Sequence, residues 1–519
     1  MDNSQKKYYI TTTLPYVNAK PHIGFALEII QADVLARYHT LLGDEVIFNT
    51  GTDEHGLKIF RKAEELGVLP QAYCDEWAEK FDNLKQALNL SYTSFIRTTD
   101  KHHEESAQKF WKMCLENGDI YKKNYQVKYC VGCELEKTDS ELVDDKCPVH
   151  PNLDLEIIDE ENYFFKFSKF QKPLLKMYKD NPDFVVPQHR FNEITKFVER
   201  GLQDFSISRI KEKMPWGVPV PNDPDHVMYV WFDALVNYIS TLGWPCDCKM
   251  SFSAQGGSAL GGGSARNDNS CDYCRFWPGI QVAGKDNLRQ QTAMWQAMLL
   301  SAGLPTSKQV FIHDFITSEG QKMSKSLGNV VDPFEIADEY GTDALRYYLL
   351  GAVPSYDDGD FSIERFEEFY TAHLVNGVGN LTSRILTMLK KYSESKIPQL
   401  ANNKYQITDF WKRYDEALNK YNFEECVKFI NEFVKELDTL ISNEKPWAKA
   451  KAGEDISELL YQLAEGLRHI AVALLPIIPE SAEKILEQLC TKDLSHDWGK
   501  LPENGIINKA EEVLFPRLG

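Results

Sequence analysis

The sequence has no apolar run long enough to cross a bilayer, no internal repeat, no surplus of basic residues and no disulfide-type spread of cysteines. Its most apolar late stretch, Ile470–Pro479, is broken by Pro476 and falls well short of the ~18 apolar residues that a spanning helix needs. A secretory leader is also missing, because Met1–Lys7 passes directly into the strand-like, β-branched Tyr8–Thr13. These absences predict a soluble, cytoplasmic protein with no membrane partner. Lysine and arginine number 58 against 77 acidic residues, for a net charge of −19. A globally basic nucleic-acid coat is therefore excluded, and any polyanion must be met on a local patch. The eleven cysteines are odd in number and clustered, a usage that fits metal binding and reduced thiols.

What is present suffices for several hydrophobic cores. The 519 residues correspond to three or four domains of ~150 residues, and 12% aromatics exclude disorder as the dominant state. A strand at Tyr8–Thr13 runs into the turn-rich Leu14–Pro21, and a helix opens at His22. Ile23, Leu27, Ile30, Val34, Tyr38 and Leu41 follow at helical spacing until Gly43. A second strand, Glu45–Asn49, leads through Gly51–Gly56 to another helix. Such units predict an α/β parallel sheet whose sites lie at the carboxyl ends of its strands.

Around Tyr121 the pattern changes to short strands, cysteines and turns as far as Pro221, then the sheet pattern resumes at Met228–Phe232 and Gln309–His313. Residues 1–116 and 227–318 are thus expected to form two halves of one nucleotide-binding domain around an insert at 117–226. A Cys- and Gly-rich insertion occupies 246–274, and within it 254–264 is flexible by composition. Residues 319–362 form a loop and linking region, and 363–519 read as an α-helical bundle.

Two motifs suit a triphosphate. His22-Ile-Gly-Phe25 stands at a helix start, where backbone amides and the helix dipole favour phosphate. Gln321-Lys-Met-Ser-Lys-Ser-Leu-Gly-Asn329 carries two lysines three apart, able to stabilise charge developing at an α-phosphorus. Each has a plain alternative, a capping histidine and a solvated basic turn. Cys130-Val-Gly-Cys133 and Cys147-Pro-Val-His150 have the spacing of a closed, four-ligand structural zinc site. Cys246, Cys248, Cys271 and Cys274 either form a second metal site or are four free thiols around the insertion.

His22-Ile-Gly-Phe25 taken with Lys322-Met-Ser-Lys-Ser326 resembles the paired hallmark strings of class I aminoacyl-tRNA synthetases. Leu14-Pro-Tyr-Val-Asn18, Gly51-Thr-Asp-Glu-His-Gly56, Tyr229-Val-Trp-Phe-Asp-Ala234, Gly284-Lys-Asp286 and Asn443-Glu-Lys-Pro-Trp447 are similar to methionyl-tRNA synthetases within that class. The resemblance implies a Rossmann-like catalytic domain interrupted by a zinc-binding insert and followed by an α-helical anticodon-binding domain. It implies activation of L-methionine with ATP to methionyl-adenylate and pyrophosphate, then transfer to the 3′-terminal ribose of tRNA(Met). Mg2+ would accompany ATP, and Zn2+ would be structural. By the same resemblance His22 and Lys325 are catalytic, and His22, Gly24, Lys322, Lys325, Asp286 and Arg209 contact ATP. An interdomain salt bridge is the alternative for Arg209. Asp53 would hold the substrate ammonium, and Leu14, Tyr16, Trp231, Ala234, Tyr238, Gln291 and Trp295 would surround methionine. For Trp231 and Tyr238 periodicity alone allows ordinary core positions. Asn380, Arg384 and Trp447 align with anticodon readers, and a monomer is expected because no appended tRNA-binding module follows the bundle.

Two departures stand out: Phe25 replaces the second histidine of the first string, and Gln291 stands where the family often has a histidine near the methionine sulfur. The competing readings are a class I synthetase for leucine, isoleucine, valine or cysteine, a catalytically dead tRNA-binding paralogue, and a small-molecule adenylyltransferase. The short insert disfavours the editing synthetases, and the helical tail disfavours the adenylyltransferase.

Overall fold

The computed structural model describes residues 5–133, 135–137, 139–246, 271–321, 323, 329–399, 407–508 and 513–518. Lys322, Lys325, Cys248 and the Gly/Ser-rich stretch 254–264 lie outside the described residues. The chain divides into two units: Met1–Pro21, Glu45–Asn83 and Tyr92–Ile312 form one, and His22–Asp44, Leu84–Ser91 and His313–Gly519 the other.

The first unit is built on a six-stranded sheet in the order Ser94–Arg97, Glu45–Thr52, Lys7–Thr12, Ile280–Gly284, Gln309–His313, Val185–Val186. Lys7–Thr12 runs parallel to both of its neighbours, with Ile10 opposite Phe48 on one side and Ile280 on the other. Ile280–Gly284 is buried along its whole length, as a central parallel strand requires. Aromatic rings dominate the core: Phe110 stacks on Trp295 with centroids 5.5 Å apart, and Trp111 meets Phe232 edge-on at 5.1 Å.

Ile120–Cys130 and Glu156–Phe165 form a long antiparallel pair, in register from Ile120↔Phe165 to Tyr129↔Glu156. Leu135–Lys137 and Phe205–Ser206 complete this four-stranded sheet. Cys130 thus ends a strand, and the cysteine-bearing turns lie beyond it. One finding differs from the sequence-based expectation. Val185–Val186, within the expected insert 117–226, pairs parallel with Val310–Phe311 and extends the edge of the main sheet. A two-residue strand carries no measurable periodicity, so the sequence did not reveal it.

The second unit contains the Ile23–Leu41 helix, a parallel pair of short strands at Ile316–Ser318 and Gly359–Phe361, and a series of helices. The longest is Phe423–Glu444, and Ser457–Leu474 is buried over most of its length. Arg346 anchors this unit from within. Its fully buried guanidinium donates to Asp33 Oδ2 at 2.7 Å and to the carbonyls of Leu88, Pro476 and Ile477 at 3.0, 3.0 and 2.7 Å. Burial opposes the charge on Asp33, yet Arg346, Arg37 and the Ser91 hydrogen bonds hold its carboxyl below the usual range. Among the described residues no helix is long and apolar enough to cross a membrane.

Candidate active site

The strand Glu45–Thr52 delivers Asp53, Glu54, His55 and Gly56 at its carboxyl end. The Asp53 amide donates to Pro15 O at 3.0 Å and the Val17 amide to Asp53 O at 3.2 Å, so Tyr16 and Asp53 form a one-residue parallel bridge. This fixes the Asp53 backbone, while its side chain is only 7% exposed. The Tyr16 hydroxyl donates to the His55 carbonyl. Next to it Glu54 is fully buried and accepts from Thr52 at 2.6 Å, from Thr99, and from two nitrogens of Arg97 at 2.7 and 2.9 Å. Trp216 closes the loop from outside: its Nε1 donates to Glu54 O at 2.6 Å, and the Gly56 amide donates to Trp216 O at 3.1 Å.

Behind this loop lies a buried ion pair. His55 Nδ1 is 3.0 Å from Asp233 Oδ2, and His103 Nε2 is 3.7 Å from Asp233 Oδ1. Burial would raise the Asp233 carboxyl, but the two imidazoles outweigh it and hold the pKa below the usual range. For His55 burial disfavours the cation, and the Asp233 carboxylate reverses that and raises the pKa. Asp233 belongs to the same short helix, Val230–Ala234, as Trp231 and Ala234, so the pair locks the Asp53 loop to that helix.

The remaining pocket candidates are positioned by an amide and hydroxyl network. Asn237 Nδ2 donates to Ala234 O at 2.6 Å, Thr241 Oγ1 to Asn49 Oδ1 at 2.9 Å, and the Tyr9 hydroxyl to Tyr238 O at 2.9 Å. Trp231 is half-buried and packs, like Tyr16 and Val131, against the cluster of Tyr129, Tyr229 and Val230, and its Nε1 has no hydrogen-bond partner among the described residues. Tyr238 and Trp295 meet at a tilt of 60° with centroids 5.9 Å apart, Trp295 being fully buried. Leu14 is half-buried just ahead of Tyr16.

Gln291 is buried in a wide helical turn, Gln290–Met294, and its Oε1 accepts from Gln281 Nε2 at 3.2 Å. Arg209 is also buried, its guanidinium lying 4.4 Å from the Tyr229 ring and 5.2 Å from that of Tyr129. It donates to Ser206 Oγ and Ser208 O, both at 2.8 Å, and so braces the aromatic cluster that carries Trp231. Asp286 is exposed on the turn Lys285–Asn287.

In the second unit, His22 caps the Ile23–Leu41 helix. Its Nδ1 accepts from the Gly24 amide at 3.1 Å, which leaves Nε2–H pointing away as a donor. A proton on Nδ1 would abolish that cap, and desolvation of the ring lowers the His22 pKa in the same direction. A Cβ on Gly24 would lie 3.0 Å from His22 Cε1 and Nδ1, so glycine is what lets the ring fold back. The Ile23 amide donates to Val331 O at 3.0 Å, and Ile316 is the other neighbour of Gly24. Described residues before and after the lysine motif therefore meet the helix terminus at His22, far from it in sequence.

Residues 8–154 and 133–386 match the family model described as tRNA synthetases class I (M), and residues 405–514 match the anticodon-binding domain of tRNA ligase. The methionine–tRNA ligase of Thermosynechococcus vestitus is 41% identical over 98% of this chain and 97% of its own length. This chain belongs to the methionine–tRNA ligase family. The Thermotoga maritima member is 38% identical over 99% of this chain and 80% of that protein. A solved Mycobacterium tuberculosis methionyl-tRNA synthetase in complex with methionyl-adenylate superposes with a TM-score of 0.89 at 34% identity, covering 99% of this chain and 100% of that one. As a methionine–tRNA ligase family member the chain is an enzyme, a class I synthetase with a parallel-sheet catalytic domain and a helical anticodon-binding domain.

In this methionine–tRNA ligase the cysteine motif of the insert converges. Cys133 Sγ lies 3.4 Å from Cys147 Sγ and 3.2 Å from His150 Nδ1, and Cys130 Sγ lies 3.8 Å from His150 Nδ1. All four donor atoms fall within 4.8 Å of one another. A Cβ on Gly132 would come within 2.5 Å of the His150 ring, so only glycine admits the imidazole. Three thiols and one imidazole fit a closed tetrahedral site for a soft divalent ion.

In the bundle, Asn380 is exposed at the start of the Asn380–Tyr392 helix, and Arg384, one turn on, pairs with Asp438. Trp447 is 46% exposed on the short helix Pro446–Lys451. The roles that sequence inspection missed are those of His55, His103, Asp233 and Trp216. The strings containing His55 and Asp233 were visible, but nothing in a linear pattern shows that residues 55, 103 and 233 share one buried charge cluster.

Proposed function

We propose how this methionine–tRNA ligase divides its chemistry among its own residues. Asp53 holds the substrate ammonium through a charge-assisted hydrogen bond, strengthened by its burial. Trp231, Ala234, Tyr238, Leu14 and Tyr16 line the thioether pocket, where rings offer favourable contacts to a polarizable sulfur. Trp295 backs Tyr238, and the Gln291 amide faces the sulfur end with its carbonyl oxygen already held by Gln281. Arg209 supports this wall from behind.

ATP enters as its Mg2+ complex. His22 donates from Nε2 to a phosphoryl oxygen, Gly24 allows close approach, and Asp286 and Lys322 contact the nucleotide. A carboxylate oxygen of methionine attacks the α-phosphorus, the bond to the bridging oxygen breaks, and pyrophosphate leaves. Lys325 stabilises the charge on the non-bridging oxygens in that transition state. The terminal ribose hydroxyl of tRNA(Met) then displaces AMP from the methionyl carbonyl, with Asn380, Arg384 and Trp447 meeting the anticodon.

Cys130, Cys133, Cys147 and His150 would hold Zn2+, which would supply folding energy to the turns that carry them and take no part in the reaction. A reducing compartment such as the cytoplasm suits those thiol ligands.

The observation that supports the nucleotide half of this reading is the Ile23–Val331 hydrogen bond, which joins the helix capped by His22 to a residue just after the lysine motif. Lys325→Ala should reduce methionine-dependent ATP–pyrophosphate exchange by ~10²–10³ with little change in the KM for methionine. Unchanged turnover would remove Lys325 from the mechanism.

A further inference from the structure

A second group of soft ligands lies apart from the first and takes no part in the proposed reaction. Cys246 Sγ is 3.6 Å from Cys274 Sγ, and Cys271 Sγ is 3.5 Å from Cys274 Sγ. All three sulfurs lie within 4.8 Å of one another, and none is in a disulfide. A disulfide would bring two of them to ~2.05 Å. Thiolates at ~2.3 Å around a tetrahedral zinc ion stand ~3.8 Å apart. The chain supplies its own standard, because in the Cys130–His150 cluster the Cys133 and Cys147 sulfurs are 3.4 Å apart.

The surroundings hold these thiols in place. All three are half-buried and pack against the main core of the first unit. Cys271-Asp-Tyr-Cys274 has the two-residue spacing of a zinc knuckle and begins the Asp272–Phe276 helix. The Tyr273 amide donates to Leu242 O at 2.8 Å, and the Tyr273 ring stacks on Trp277 at 6.4 Å. Arg275 pairs with Glu45 at 2.5 Å and with Asp272 at 3.0 Å. The Leu242–Tyr273 hydrogen bond thus ties the two chain segments together beside the cysteines, and the Arg275–Glu45 pair fixes the second segment to the main sheet, neither contact involving sulfur. Convergence of three thiols from positions 246, 271 and 274 is then a property of a fixed framework.

We propose that Cys246, Cys271 and Cys274 bind a second structural Zn2+ ion, which fastens the two ends of the segment 247–270. Binding exchanges the thiol protons for the ion, so the site loads as the pH rises and strips in acid. Cys248 lies outside the described residues, and the site rests on the other three. This inference depends only on the geometry of the thiols and is independent of how the reaction is assigned.

Elemental analysis of the full-length protein, purified without added metal, should find about two zinc ions per chain. Cys271→Ser/Cys274→Ser should lower this to about one, and Cys130→Ser/Cys133→Ser should do the same independently. One zinc per chain in the wild type, unchanged by Cys271→Ser/Cys274→Ser, would overturn the site. If either double variant fails to fold, peptide-mapped alkylation of the wild type gives the answer. Cys246, Cys271 and Cys274 should resist iodoacetamide until zinc is stripped and should then react together. Ready labelling of all three in the zinc-loaded protein, or a disulfide among them, would contradict the proposal.

Discussion

At the scale of single residues, the proposed chemistry depends on a few atoms held in one orientation. His22 is the clearest case: exposed to solvent, it is fixed by the Gly24 amide occupying Nδ1, on which its proposed role as a donor rests. Gly24→Ala should push the ring out of this position and lower the activation rate by ~10-fold or more, measured by pyrophosphate exchange, with the KM for methionine nearly unchanged. The buried His55–Asp233 pair makes a different prediction, about pH and stability. Asp233 is depressed in the folded state, so its contribution is complete above ~4 and is lost as pH falls through the lower folded value. His55 is raised, so its contribution is complete below ~6.5 and is lost as pH rises through the higher folded value. Asp233→Asn should therefore cost about 3 kcal/mol between pH ~4 and ~6.5 in denaturant titrations, and the gap to wild type should narrow on both sides. A gap that does not vary with pH would mean that packing alone holds the helix there. Asp53 and Trp231 were legible in the sequence because they stand in long shared strings. The partners of Asp233 were not, since ion pairing across 178 residues leaves no local pattern.

At the scale of elements, the insert pairs two long strands, Ile120–Cys130 and Glu156–Phe165, and leaves its ligand-bearing turns between them. Gly132 admits the His150 ring, and a methyl group there has no space. Gly132→Ala should release zinc and lower the first thermal transition, in the same direction as a strong chelator acts on the wild type. Retained zinc with unchanged unfolding would contradict the closed-site reading. The C-x2-C and C-x2-H spacings were legible because ligand geometry fixes short intervals. The Val185–Val186 edge strand was not, because two residues have no period. The helix start near His22 was legible from the apolar spacing, whereas its bond to Val331 joins positions that only the folded chain brings together.

At the scale of the whole molecule, a parallel-sheet part and a helical tail were legible from strand–helix alternation and helical spacing, and the insert from its short strands, cysteines and turns. The grouping of His22–Asp44 and Leu84–Ser91 with the C-terminal half was not. Arg346 explains it: one buried guanidinium serves Asp33, Leu88, Pro476 and Ile477, and a lone arginine in an amphipathic helix gives no hint of such partners. Specificity is the property on which these levels converge. A family match over nearly the full chain selects one amino acid, and the proposed pocket around Asp53, Tyr16 and Trp231 is the part of the structure assigned to it. ATP–pyrophosphate exchange with a panel of amino acids tests this most directly. Methionine alone should support rapid exchange; exchange driven by leucine, isoleucine, valine or cysteine with methionine inert, or by no amino acid at all, would contradict the account.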